Sequence, residues 1–196
     1  GNHLWVEMLS KEDYDIVLAT STGALPAWMA RKYPEVERVD YEGRRHKFGQ
    51  RHNACPNSEV FRKYSVALAA KLAERYASNP HVKCWHVSNE YGGTCYCENC
   101  EKAFRIWLRK KYGTLDAVNK AWNTEFWGHT FYDWEEIVAP NSLSEGLWDE
   151  RSAFAGLSID YKRFNSDSML QNYMDERDAI RKYDKEAVIT TNLMGT

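Results

Sequence analysis

A mostly apolar run, Val82–Ser88, constrains the fold of this chain more than any other feature. Strands of this kind are typical of parallel sheets that are covered on both sides. Residues 15–20 and 187–192 form two further short apolar runs, and the segments between the three runs are long enough for crossover helices. The order of strand, helix, strand, helix, strand predicts an α/β fold with three parallel strands.

Helices are expected between these strands. Apolar residues at helical spacing predict four of them, over residues 58–78, 101–112, 115–122 and 160–183. Ser58 and Thr114 are the expected N-caps of the first and the third. Residues 123–158 are aromatic and irregular, which is typical of a long loop on the substrate side of an enzyme.

At 196 residues the chain has the size of one domain, and it contains no internal repeat. A (β/α)₈ barrel needs eight parallel strands, so three strands cannot close one. Two architectures remain: a shorter open α/β sheet, or a segment cut from a (β/α)₈ barrel.

The charge balance gives no reason to expect binding to nucleic acid or to an anionic membrane. The chain has 26 basic and 28 acidic residues, and its net charge is -2. No apolar run approaches the ~20 residues of a membrane span, and residues 1–15 lack the apolar core of a signal peptide. A soluble protein without an export signal is therefore expected.

Asn89 and Glu90 follow the apolar run directly, so a carboxylate lies at a strand end. Cleavage of a glycosidic bond usually needs a carboxylic acid that protonates the leaving oxygen, and a second carboxylate that acts as nucleophile or activates water. Glu90 suits the acid, because Trp85 and Tyr91 nearby would lower the local dielectric and favour its protonated form. The alternative is a strand-end glutamate in a surface salt bridge.

Cys95, Cys97 and Cys100 form a C-x-C-x-x-C cluster in the next loop. Tetrahedral zinc takes four ligands, and Cys55, in a proline-flanked loop after the first strand, is the best fourth candidate. Four thiolates leave no position for water, so such a zinc ion would be structural. Cys84 lies within the second strand, where an inert buried thiol is expected. The alternative is a set of redox-active or simply buried thiols without metal.

Two further side chains suit a sugar site. Arg51 lies in the loop after the first strand, where its guanidinium would bind a substrate hydroxyl or hold a catalytic carboxylate. Trp127 lies in the aromatic loop, where its ring would wall a sugar pocket. The alternatives are a solvated surface arginine and a tryptophan used for packing.

Together these motifs resemble the catalytic barrel of the glycoside hydrolase family 42 β-galactosidases, in order and over nearly the whole chain. The segments that carry the resemblance are Leu18–Thr22 with Pro26–Trp28, Phe48–Cys55, Trp85–Gly92, the three clustered cysteines, Phe104–Leu108 and Trp122–Trp127. The resemblance implies a partial (β/α)₈ barrel, in which residues 1–196 belong to a single catalytic domain and hold about three of its eight strands.

The resemblance also implies a role for each candidate residue. Glu90 falls on the general acid/base of a retaining β-galactosidase that acts on terminal β-D-galactosides. Asn89 and Arg51 fall on residues that contact the galactose unit, and Trp127 on one that lines the same pocket. Family members that bind zinc have ligands matching Cys55, Cys95, Cys97 and Cys100. Members are commonly trimers in the bacterial cytoplasm, so the same location and assembly are implied here.

The chain departs from the family pattern at both ends. The family's nucleophile is a glutamate on a later strand, beyond Thr196, and the first strands are missing as well. The isolated chain is therefore expected to be inactive or nearly so. Two alternatives stay open: a barrel glycosidase acting on another β-linked sugar, and a zinc-stabilised carbohydrate-binding or assembly module without catalysis.

Overall fold

The computed structural model describes residues 2–49 and 51–193, and a three-stranded parallel sheet lies at its centre. The strands, in spatial order, are β1 (Ile16–Ala19), β2 (Val82–His86) and β3 (Ile189–Thr190). Ala19 pairs with His86, and His86 pairs with Thr190, so the three strands end level at their carboxyl edge. The predicted parallel α/β arrangement with crossover helices is confirmed.

Helices occupy most of the remaining chain. The α-helices of the described residues are α1 (Asn2–Lys11), α2 (Ala27–Lys32), α3 (Glu59–Tyr76), α4 (Glu98–Tyr112), α5 (Leu115–Trp122) and α6 (Ala155–Arg181). Ser58 Oγ accepts a 3.2 Å hydrogen bond from Phe61 N, and Thr114 Oγ1 accepts one of 3.2 Å from Ala117 N, so both predicted N-caps are confirmed. Within the described part of the chain, no helix has the length and apolar character needed to cross a membrane.

The last helix begins at Ala155, five residues before the predicted start at Asp160. Asp160 does not cap the helix, because it is 2% exposed and its carboxylate serves tertiary contacts. It accepts hydrogen bonds from the Tyr112 hydroxyl at 2.7 Å and from Trp122 Nε1 at 3.0 Å, and it pairs with Lys111. These long-range partners leave no local trace in the sequence, which is why the predicted boundary is late.

Both crossover helices pack on the same face of the sheet. Trp85, 1% exposed, lies in the core between the sheet, Ala73 of α3 and Ile180 of α6. On the opposite face Val17 is 62% exposed and Val188 is 64% exposed. The expectation that the sheet is covered on both sides is therefore wrong for the described residues, because their helices lie on one side only.

A second core forms around the aromatic rings of α4, α5 and α6. Phe104 is fully buried, and its ring centroid lies 4.9 Å from that of Tyr161 in a T-shaped contact. Trp122 packs in the same cluster, together with four cysteine side chains. This core supports the loops that leave the carboxyl edge of the sheet.

Candidate active site and thiol cluster

Glu90 lies in a loop at the carboxyl edge, where polar side chains tie the strand ends together. Its backbone N donates a 2.8 Å hydrogen bond to Asn192 Oδ1, beyond β3. The backbone N of Ser88 donates a 2.9 Å hydrogen bond to Thr20 Oγ1, beyond β1. Ser88 and Glu90 have positive φ, 56° and 49°, a conformation that is unfavourable for residues with a side chain. The bonds to the neighbouring strand ends offset this cost.

The Glu90 carboxylate forms an ion pair with the Arg51 guanidinium. Arg51 reaches it from the loop between β1 and α3, so the structure brings these two candidate residues into contact. The Glu90 side chain is 27% exposed and the Arg51 side chain 56%, so a ligand has access to both. A guanidinium beside a carboxylate offsets its charge and fixes its orientation.

His52 supports the same loop from the side of Asn89. Its Nε2 contacts the Asn89 carbonyl oxygen, and its ring stacks on that of Tyr91 with the centroids 5.5 Å apart. Burial lowers the pKa of His52, and the nearby Arg38 and Arg51 charges lower it further. The neutral ring therefore donates from Nε2 to the Asn89 carbonyl, which holds Asn89 next to the candidate acid.

Trp127 is not packed against this loop. Its ring stacks on that of Phe126 with the centroids 4.9 Å apart, and its side chain remains 83% exposed. The structure therefore brings Arg51, Asn89 and Glu90 together and leaves Trp127 facing solvent in the aromatic loop.

Asn192 also belongs to the site, although it is not among the candidate residues predicted from the sequence. Its Oδ1 accepts the hydrogen bond from Glu90 N and lies 3.1 Å from His86 Nε2. A signal was available, because Asn192 follows an apolar strand just as Glu90 does. Thr20, at the end of β1, could have been found in the same way.

The thiols of Cys55, Cys95, Cys97 and Cys100 form a buried cluster. Their Sγ atoms all lie within 4.8 Å of one another, and Cys55 Sγ lies 3.5 Å from Cys100 Sγ and 3.4 Å from Cys97 Sγ. Hydrogen bonding with Cys100, Cys55 and Cys95 holds the pKa of Cys97 well below its usual range. Hydrogen bonding with Cys100, Cys95 and Cys97, together with burial, raises the pKa of Cys55. Four converging thiols, one of them favoured as a thiolate, could hold a metal ion.

Hydrogen bonds connect the thiol cluster to neighbouring residues, including one on α6. The fifth cysteine, Cys84, lies outside the cluster. Asn57 Nδ2 donates a 3.4 Å hydrogen bond to Cys100 Sγ, and the Tyr161 hydroxyl of α6 donates one of 2.7 Å to the Cys95 carbonyl. Cys84 lies in β2, where it is half-buried rather than buried as expected, and its thiol bonds the carbonyl of the next residue at 3.6 Å. The exclusion of Cys84 from the cluster therefore agrees with its place in a strand.

A second acidic group is buried behind the Glu90 loop. Glu176 of α6 is 2% exposed, and its Oε2 accepts a 2.8 Å hydrogen bond from Thr22 Oγ1. Burial raises the pKa of Glu176 to about 7. The sequence gives no reason to single out Glu176, because a glutamate in a long helix is usually solvated. Its position one turn from the buried Asn172 and one turn from Ile180 was the available signal.

The raised pKa predicts that Glu176 makes stability depend on pH. Its pKa is about 7 in the folded chain and 4.5 when unperturbed, so between these values the folded state binds more protons than the unfolded state. The stabilisation is complete below about pH 4.5 and is lost as the pH rises through 7, by up to about 3 kcal/mol. Urea unfolding at pH 5 and pH 8 should show this loss in the unmodified chain but not in Glu176→Gln. Equal pH dependence in the two would contradict it, and the comparison cancels all other titrations.

Comparisons with known proteins identify the family. The sequence model of the glycoside hydrolase family 42 described as Beta-galactosidase matches residues 4–196. Beta-galactosidase BgaP from Planococcus sp. (strain L4) is 65% identical to this chain, over 91% of the chain and 26% of BgaP. Beta-galactosidase LacZ from Lactobacillus acidophilus is 53% identical, over 97% of the chain and 29% of LacZ.

A solved structure agrees with these relatives. The crystal structure of a β-galactosidase from Bacillus circulans sp. alkalophilus superimposes with a TM-score of 0.94 and 62% identity. The match covers 97% of this chain and 28% of that one, so the chain spans less than a third of the proteins it resembles. The chain therefore belongs to glycoside hydrolase family 42, the family of these β-galactosidases.

Proposed function

We propose that this chain is part of a retaining β-galactosidase and that Glu90 is its general acid/base. The observation that carries the proposal is the position of Glu90, which lies beside Asn89 and Arg51 at the carboxyl edge of a parallel sheet in a member of this family. Barrel enzymes act on their substrates at this edge. The relatives are named β-galactosidases, which supports a terminal β-D-galactoside as the substrate.

Glu90 would transfer a proton in each half of the reaction. In the first half it donates its proton to the glycosidic oxygen, as the bond from galactose C1 to that oxygen breaks and a nucleophilic carboxylate bonds to C1. In the second half the Glu90 carboxylate takes a proton from a water molecule, whose oxygen attacks C1 and releases the nucleophile. Two displacements at C1 retain its configuration. The nucleophile is a glutamate on a later strand of the same enzyme, outside this chain.

The neighbours of Glu90 suit the binding of a galactose unit. Arg51 offsets the charge of Glu90 while the acid is ionised, and its guanidinium is free to bind a sugar hydroxyl when the acid is protonated. Asn89, held at the same edge by His52, offers a side-chain amide to another hydroxyl. The exposed ring of Trp127 offers an apolar face to a sugar ring.

The exposed face of the sheet supports a partial barrel rather than an open sheet. Val17 and Val188 are apolar, yet both are more than 60% exposed on the face away from α3 and α6. In a (β/α)₈ barrel this face is the interior, which side chains from the other strands fill. Residues 1–196 are accordingly assigned to a single catalytic domain that has further strands before and after them.

Zinc is the metal that best fits the thiol cluster. Tetrahedral zinc binds thiolates at about 2.3 Å, so the sulfur atoms of a complete site lie about 3.8 Å apart. Two of the Sγ separations, 3.4 and 3.5 Å, and the 4.8 Å limit on all of them bracket this value. With four thiolates no position remains for water, so the ion would be structural. It would connect the loop of Arg51 to the loop of Glu90.

The proposal can be tested by restoring a complete barrel around this chain. In a chimaera called here the grafted enzyme, the chain replaces the matching segment of the Bacillus circulans sp. alkalophilus β-galactosidase, to which it is 62% identical. We expect the grafted enzyme to hydrolyse nitrophenyl β-D-galactoside much faster than the matched β-D-glucoside and β-D-xyloside. The isolated chain, which lacks the nucleophile, is the control and should not hydrolyse any of them.

Two results would contradict the proposal. A folded, metal-loaded grafted enzyme without hydrolytic activity would favour a carbohydrate-binding or assembly module. A grafted enzyme that prefers the glucoside or the xyloside, while the parent enzyme prefers the galactoside, would favour a glycosidase for another β-linked sugar. Activity of the isolated chain would show that its own carboxylates complete the site.

A further inference from the structure

We propose that Glu176 is a positioning residue for the acid/base loop, residues 88–91, and that it acts through Thr22 and Thr20 on the backbone of Ser88. The inference rests on the proposed function, because it takes Glu90 as the acid/base. It adds to that function a residue of α6 that directs the acid without touching the substrate.

A relay of three hydrogen bonds connects Glu176 to the loop. Thr22 Oγ1 donates to Glu176 Oε2 at 2.8 Å, and the hydroxyl oxygens of Thr22 and Thr20 lie 3.0 Å apart. Thr20 Oγ1 accepts the 2.9 Å bond from Ser88 N. The four residues are at most 6% exposed, so bulk solvent has little access to the relay.

While Glu176 is ionised, the donors and acceptors of this relay can be arranged in only one way. A hydroxyl has one hydrogen, and Thr22 gives its hydrogen to the carboxylate. Thr20 must then donate to Thr22, and it accepts from Ser88 N–H. Every bond therefore points toward Glu176, and bonds aligned in one direction strengthen one another. The relay needs an acceptor at its end, which a glutamate supplies.

Core packing alone does not explain an acid at this position. Glu176 lies between Asn172 and Ile180 on the buried stripe of α6. Burying a carboxylate there costs free energy that an apolar side chain would avoid. The reason for an acid here is accordingly its acceptor oxygens, one of which accepts the hydrogen bond from Thr22.

Glu176 also lines a small cavity under the other end of the loop. The cavity has a volume of about 20 Å³, enough for one water molecule, and His52 and Tyr91 are part of its wall. The Tyr91 hydroxyl is buried and has no hydrogen-bond partner among residues 2–49 and 51–193. Glu176 therefore shares a cavity with Tyr91, at the other end of the loop from Ser88.

Loss of the relay should change the orientation of the Glu90 carboxyl group. Without the Glu176 acceptor, the hydroxyl groups of Thr22 and Thr20 can reorient, and Thr20 Oγ1 is no longer held toward Ser88 N–H. The positive φ of 56° at Ser88 is then less well stabilised. Relaxation at this residue reorients Glu90, two residues later in the chain. Proton donation to the glycosidic oxygen should then be impaired more than any other step.

The test compares substrates in the grafted enzyme. Phenyl β-D-galactoside has a poor leaving group, which must be protonated by the acid. The 2,4-dinitrophenolate of 2,4-dinitrophenyl β-D-galactoside is a good leaving group and departs without protonation. We expect Glu176→Leu to lower kcat/KM for the phenyl substrate about tenfold more than for the dinitrophenyl substrate. Glu176→Gln keeps an acceptor and should retain most of the kcat/KM that Glu176→Leu loses on the phenyl substrate. Thr22→Val should show the same selective loss as Glu176→Leu. Asp178→Asn changes an exposed carboxylate on the same helix and is the matched control.

The outcomes separate this inference from the proposed function. Equal losses on both substrates in Glu176→Leu and in Thr22→Val, or no loss in either, would overturn the positioning role. If Glu176→Leu fails to fold, Thr22→Val alone decides. The same pair of substrates assayed with Glu90→Gln tests the function itself. If Glu90→Gln loses more activity on the phenyl substrate than on the dinitrophenyl substrate and Thr22→Val does not, only the role of Glu176 is refuted. If Glu90→Gln loses equal activity on both substrates, the acid/base assignment is refuted.

Discussion

Glu90→Gln in the grafted enzyme should lower kcat for phenyl β-D-galactoside by about 10²–10⁴-fold, because an amide cannot donate the proton that the leaving phenoxide needs. The rate of the first half-reaction should fall far less with the dinitrophenyl substrate, because its leaving group needs no proton. Steady-state and pre-steady-state rates with the two substrates measure this difference. It is the largest effect that we expect from a single substitution in this chain.

An external nucleophile gives a second readout of the same residue. In Glu90→Ala, azide should attack the galactosyl-enzyme without help from a base, restore turnover of the dinitrophenyl substrate and yield β-galactosyl azide. Glu98→Gln is the matched control, because Glu98 has a 76% exposed side chain and lies in the same part of the chain. Unchanged turnover in Glu90→Gln, or a loss of equal size in Glu98→Gln, would rule out the assigned role.

Metal removal should have the second largest effect. The purified protein should contain stoichiometric zinc, and a strong chelator should abolish its cooperative unfolding transition. The binding free energy of a four-thiolate zinc site, on the order of 10 kcal/mol in small zinc domains, is comparable with the whole stability of a domain. Zinc content and circular dichroism of the same sample, before and after chelation, measure the effect.

A cysteine pair supplies the control for this experiment. Cys100→Ser removes one ligand of the cluster and should cause loss of zinc and of stability. Cys84→Ser changes the thiol of β2, which lies outside the cluster, and should preserve both. A metal-free protein of unchanged stability would argue for simple buried thiols.

The sequence was sufficient for those parts of the fold that depend on local patterns. Ser58 and Thr114 cap helices with side-chain bonds to residues three positions away, and such bonds can be recognised from the sequence. The start of α6 and the exposed face of the sheet depend on distant partners instead. Asp160 is hydrogen-bonded by residues 38 to 49 positions away, and these partners, which explain an acid in a helix interior, cannot be seen from the neighbouring sequence.

The candidate site divides in the same way. The thiols of Cys95, Cys97 and Cys100 could be grouped by their spacing, and Cys55 by its place at the same edge of the sheet. Glu176 could not be found, because its partner Thr22 is 154 positions away. A single helical position shows only which neighbours share its face, and it does not show which loop is packed against that face.

The contact between Arg51 and Glu90 is too exposed to persist by its own strength, since surface ion pairs contribute at most about 1 kcal/mol. The pair would persist because both residues are joined to the thiol cluster by short segments of chain. Arg51 lies four residues before Cys55, and Glu90 lies five residues before Cys95. Short tethers anchored to one buried point keep the two side chains at a local concentration in the millimolar range or above. A weak pair can then stay formed, and it can still open when a sugar hydroxyl competes for the guanidinium.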